Sequence, residues 1–186
     1  MKRRAMWTIL LAGIMACIIV IVPPRILYAA TAKEIDVSVD AALEKFSKSV
    51  KGAAEVLKMA KGILIIPRVT QAGLIAGGEY GEGALRIGGK TVDYYSIAAA
   101  TFGLQLGAQE KDIIIAFMDE EALKKFRSSD GWQAGINGTV AAIDQGTEGS
   151  IDTTKTNQPI IGFVVGQRGL MVGANIEGAK FSQLKR

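Results

Sequence analysis

The 186-residue chain contains no histidine and a single cysteine, Cys17. The missing imidazole excludes Ser-His-Asp and Cys-His nucleophile systems and removes the commonest metal ligand. It leaves carboxylate chemistry open. The lone thiol rules out an internal disulfide, so the domain depends on its core. Proline is scarce too: of four, only Pro67 and Pro159 lie beyond the first 32 residues. Aromatics make up 6% of the chain and glycine is abundant, with 22 residues. A core short of large rings and rich in glycine suggests closely approaching sheet backbones.

The first 32 residues read as a targeting segment. Lys2, Arg3 and Arg4 precede an uncharged apolar run, Ala5 to Val22, and Ala30-Thr31-Ala32 offers an A-x-A cleavage site. Pro23-Pro24 and the small-residue site favour a cleaved signal peptide at 1–32 over an uncleaved anchor through residues 5–22. A third reading, lipidation at Cys17, meets the strongly apolar Ile18–Val22, a poor start for a mature lipoprotein. All three export the domain, residues 33–186, to the periplasm, the outer face of a membrane or the medium of a bacterial cell.

This segment also dominates the charge balance. The chain has 22 Lys+Arg against 18 Asp+Glu, and residues 1–32 hold four of the basic residues and none of the acidic ones. The mature part is therefore net neutral, and nothing in it calls for a nucleic-acid partner.

Asp36 to Ala60 has helical periodicity, with Val39, Leu43, Phe46, Val50, Ala53/Ala54 and Leu57 on one stripe and a break or kink expected at Gly52. Gly62 suits the end of that helix. Ile63–Ile66 is a short strand stopped by Pro67. Leu85–Ile87 and Thr91–Tyr94 flank Gly88-Gly89 as a hairpin. Strands are also expected at 102–108, 112–118, 132–143, 159–165, 170–176 and 179–184, with an exposed loop at 146–158. Asp119 caps a short helix, 119–127. The fold class is α+β: one domain with a curled, mainly antiparallel sheet approaching a barrel, a long amino-terminal helix and the short helix near 119–127.

Two clusters that could carry chemistry have simpler accounts. Asp119-Glu120-Glu121 lies at a helix start, where acids cap and oppose the dipole. Gly78-Glu79-Tyr80-Gly81-Glu82-Gly83 lacks the order, lysine and following helix of a phosphate loop, and sheet curvature explains its glycines.

The succession AKGILIIPRV, QAG, GGEYGEGAL, YYS and FGLQLGAQ, continued by DIIIAFMDEEALKKF (112–126), GWQAGINGTVAA (131–142) and GLMVGANIEG (169–178), resembles the SYLF-domain family. The resemblance runs over nearly everything after residue 33. It implies a non-enzymatic module without cofactor or metal, whose amino-terminal helical part binds acidic phospholipids, phosphoinositides among eukaryotic relatives. In fungal relatives such modules bind actin filaments, which implies a protein-interaction or scaffold role as the alternative, with an envelope protein as partner. By position, the lipid-binding set is Lys45, Lys48, Lys51, Lys58, Lys61 and Arg68. Glu44 and Glu55 interleave with these cations, and the apolar stripe beside them is needed for a core. Oligomeric state is not encoded in any pattern here.

Overall fold

A computed structural model describes residues 30–73, 76–102, 109–143, 157–166, 169–170 and 176–186. The first helix, α1 (Ala32–Ser49), starts four residues before the expected Asp36 because Thr31 and Glu34 form a capping box. The chain breaks at Gly52, and α2 (Ala53–Met59) resumes beyond it, as the sequence suggested. Ala60 ends α2, so Gly62 is not its cap but the first residue of a strand.

Strand β1 (Gly62–Gly73) runs straight through Pro67, which the sequence had marked as a stop. The reason is a bulge. Pairing of β1 with both neighbours shifts register across Pro67 and Arg68, so the proline's missing N–H falls where no ladder bond is made. Strand β2 (Ala76–Ile87) turns at Gly88-Gly89, both at positive φ as a type I′ turn requires, into β3 (Lys90–Phe102). Then come β4 (Gln109–Phe117) and α3 (Glu120–Arg127), the latter capped by Asp119 as expected.

The stretch 132–143 is not one strand. It forms β5 (Trp132–Gln133) and β6 (Ala141–Ala142), separated by a turn in which the Gly135 N–H donates to the Gly138 carbonyl at 2.9 Å. The glycines at 135 and 138 favour reversal over extension. Strands β7 (Ile160–Gly166), β8 (Gly169–Leu170) and β9 (Lys180–Leu184) complete the chain. The expected strands at 102–108 and 170–176 and the loop at 146–158 fall almost wholly outside the described residues.

One sheet takes the order β5-β9-β3-β2-β1-β4-β7-β6, with β8 on β7. Among the described strands every pairing is antiparallel except β6 with β7. Its two edges, β5 and β6, belong to one short segment of chain, so the sheet curls back toward itself as a half-barrel.

The sheet is covered on both faces. On the concave side Leu64, Ile66, Leu85, Tyr95, Ile97, Ile113, Ile115 and Phe117 alternate inward and meet Phe126 of α3 and Trp132. The interior is therefore filled. Phe126 sits at its centre, with ring centroids 4.8 Å from Tyr95, 4.8 Å from Phe117 and 5.5 Å from Trp132. On the convex side Ile65, Ile114, Ile161, Phe163 and Val165 receive Ile35, Val39, Ala42 and Phe46 from α1. Gly83 faces the concave side, where an added Cβ would lie 1.9 Å from the Ile65 carbonyl oxygen. Only glycine permits that approach, and the sheet's curvature depends on it.

Candidate functional site

The six cations singled out in the sequence start from α1. Its buried residues Ile35, Val39, Ala42 and Phe46 are at most 5% exposed, and Val50, Ala53 and Val56 continue the line into α2, whereas Leu43 and Leu57, expected on the stripe, are only half-buried and Ala54 is exposed. That apolar face belongs to the core. No insertion into a lipid layer is available to it without detaching the helix.

Two of the six cations serve the fold. Lys45 Nζ lies 2.8 Å from Asp112 Oδ2, and the side chain of Asp112 is only 9% exposed. Asp112 Oδ1 accepts the Arg68 backbone N–H at 2.9 Å. Arg68 has φ +49°, the one positive-φ non-glycine among the described residues, a conformation that costs about 1–3 kcal/mol. Asp112 thus holds the bulge in its strained shape, and Lys45 neutralises the carboxylate that does so. The Arg68 guanidinium turns outward and donates to Ser38 Oγ at 2.9 Å, bridging β1 to α1.

Around this bridge lie two shallow hollows. One, of about 540 Å³, is lined by Glu34, Ser38, Arg68, Tyr80, Glu82 and Glu110, and the other, of about 440 Å³, by Val37, Ala41, Lys45, Arg68 and Lys111 among others. Most of their charges are already matched. Glu82 pairs with Arg186 at 2.8 Å and accepts the Tyr80 hydroxyl at 2.8 Å; burial, with the Glu82 hydrogen bond adding to it, raises the Tyr80 phenol above its ordinary value. Glu34 is held below the usual carboxylate range by the Thr31 hydrogen bonds of the capping box.

The other four cations face solvent. Lys48 pairs with Glu44 one turn earlier, and this hydrogen bond lowers the carboxylate's pKa. Lys51, Lys58 and Lys61 are exposed and form no ion pair among the described residues. They flank α2, and Met59, next to Lys58, is 52% exposed. Glu55 is exposed on the same helix. The structure therefore divides the sequence set: Lys45 and Arg68 in one knot on the sheet, Lys48 in a surface pair, and Lys51, Lys58 and Lys61 around α2. Lys61 also lines the hollow under α3, together with Asp93, Glu120, Glu121, Lys124 and Arg127.

The acidic cluster at 119–121 behaves as a cap. Asp119 accepts from the Glu121 and Ala122 backbone N–H groups at 2.6 and 3.0 Å, and Glu121 pairs with Lys125. No group of three or more His, Cys, Asp or Glu close enough to hold a metal occurs among the described residues.

Sequence reasoning missed three polar ties: the Asp112 knot, the Glu79–Lys111 pair at 2.7 Å with both side chains at most 10% exposed, and a latch on α1. In the latch Asp36 accepts from the Thr91 and Tyr94 hydroxyls at 2.7 and 3.0 Å, and Asp40 pairs with Arg86 at 2.6 Å. The hint available was Asp112 itself, a charge opening an otherwise unbroken apolar run.

These features define a small α+β domain whose polar clusters are mostly matched internally. Residues 98–186, from the end of β3 to β9, match the family model described as Ysc84, Las17-binding protein actin regulator. Over those residues the chain is thus similar to the family its motifs resemble, and α1, α2, β1 and β2 lie outside the match. No curated protein matches the sequence.

Proposed function

We propose that the chain is a non-enzymatic binding module of the bacterial envelope, exported to the periplasm or beyond, that docks on acidic phospholipid surfaces. The observation that carries this reading is the unpaired cationic rim of α2: Lys51, Lys58 and Lys61, with Met59 exposed among them. Each lysine near an anionic surface contributes about 1 kcal/mol. Three of them raise affinity by roughly two orders of magnitude, and salt screens most of that gain. Met59 adds shallow apolar contact, while the buried stripe of α1 stays in the core. Lys48 contributes less because Glu44 already engages it. Lys45 and Arg68 are engaged at Asp112 and serve the fold instead.

Co-sedimentation of residues 30–186 with vesicles of graded phosphatidylglycerol content tests the reading. Salt-sensitive binding, lost in Lys51/Lys58/Lys61→Glu, is the expected result. Binding that survives both high salt and that triple substitution would sink the electrostatic mechanism.

A second reading, a protein-interaction module, draws on the match to a family described as an actin regulator. It gains if vesicles of every composition fail to bind while a defined filament or envelope protein does.

A further inference from the structure

Resting on the reading that the chain is exported, we infer that its leader is cut after Ala29, so that the mature protein begins at Ala30 rather than Lys33. The A-x-A site at Ala30-Thr31-Ala32 would be cut after Ala32, yet these three residues are part of the folded domain. Thr31 is the N-cap of α1: its Oγ1 accepts the Glu34 N–H at 3.3 Å, and Glu34 Oε2 accepts the Thr31 N–H at 2.7 Å. The Thr31 carbonyl accepts the first helical hydrogen bond, from the Ile35 N–H at 3.0 Å. Ala32 is the first helical residue. Independently, Ala30 packs against the convex core and lines the hollow beside Ile35 and Pro67.

A cut after Ala32 removes all of this at once. The Glu34 and Ile35 N–H groups lose their acceptors, and the Ala30 contact disappears. A new α-amino group then falls on Lys33, adding positive charge to the positive end of the helix dipole. A cut after Ala29 costs none of these interactions. It also meets the chemistry of a leader peptidase, with a small residue, Ala29, just before the scissile bond and an uncharged aliphatic residue, Leu27, two positions earlier. The step is hydrolysis of the Ala29–Ala30 amide by water, leaving a carboxylate on the leader and an amine on Ala30. That amine stands outside the helix, beyond the cap.

The experiment is expression of the whole chain in a bacterial host, followed by intact mass and amino-terminal sequencing of the exported protein. The expected product is Ala30–Arg186. Ala32→Leu is expected to be processed unchanged, whereas Ala29→Leu accumulates uncut precursor. A mature chain starting at Lys33, processing blocked by Ala32→Leu, an uncut chain, or one starting at an acylated Cys17 would each overturn the inference. A second measurement tests its physical basis: residues 33–186 should unfold at lower urea than residues 30–186, and coincident transitions would remove the argument from the cap. Vesicle binding by purified 30–186 is independent of where the host cuts, so failure of the lipid reading and failure of this one are told apart.

Discussion

Lys45 on α1 and Asp112 on β4 meet 2.8 Å apart across the convex face of the sheet, and the same carboxylate fixes the Arg68 bulge. One acid thereby joins a helix, a central strand and a strained residue. Asp112→Ala leaves the Arg68 N–H without its acceptor and Lys45 without its partner. It should cost about 1–3 kcal/mol in urea unfolding, the range for an orphaned buried polar group. Lys45→Met should cost less, since Asp112 keeps the backbone donor. Equal losses in the two variants would show that the ion pair, not the bulge, is what Asp112 holds.

The two glycines at 78 and 83 should behave in opposite ways. Gly83→Ala drives a methyl group to 1.9 Å from the Ile65 carbonyl oxygen, while Gly78→Ala meets nothing nearer than the Ala99 oxygen at 3.7 Å. Backbone cannot yield as a flexible side chain can, so Gly83→Ala should cost more than about 3 kcal/mol or prevent folding. Gly78→Ala should stay within about 1 kcal/mol. Thermal unfolding followed by circular dichroism checks both, and a tolerated Gly83→Ala would mean the strands are less closely curled than described.

Phe126 is fully buried at the hub of the concave core. Phe126→Ala should cost about 3–5 kcal/mol. Tryptophan fluorescence should also change, because Trp132 lies 5.5 Å away. A loss below 1 kcal/mol would show that α3 is not the plug of the barrel.

Tyr95 has a buried hydroxyl without a partner among the described residues, and burial, with Asp93 adding to it, pushes its pKa up to about 12. The unfolded tyrosine ionises near 10. The neutral form is thus favoured in the folded state, and its stabilising contribution is present below pH 10 and lost as pH rises toward 12. Stability should fall over that window, and Tyr95→Phe should flatten the fall. At neutral pH Tyr95→Phe should be no less stable than the parent, since the hydroxyl makes no bond. A steeper alkaline loss in Tyr95→Phe would refute this assignment.

Periodicity was enough to place both amino-terminal helices, the Gly88-Gly89 hairpin and the Asp119-capped helix, because each is decided by neighbours a few positions away. The route of β1 through Pro67 was not legible, since a bulge depends on where two other strands pair. The reversal inside 132–143 was hidden for a similar reason: Trp132 and Val140 are both buried and read as one apolar strand. In the candidate site, residue type picked out six cations but not their partners. Lys45 and Lys51 look alike in sequence, and only the fold brings Asp112, 67 positions on, to one and not the other.

Strand β9 lies against β3, with Ser182 opposite Ser96 and Tyr94 opposite Leu184. Ser96 and Ser182 are 86 positions apart, so the loop that their pairing closes is long and entropically costly. Folding should accordingly be slow, with β9 docking late. Until residues 180–184 emerge from synthesis or translocation, the outer edge of β3 at 94–98 has no neighbour and Trp132 lacks the Phe181 ring that lies 5.8 Å from it. A chain built this way carries an open strand edge until its last strand docks, and that edge is where a chaperone would act or where aggregation would begin.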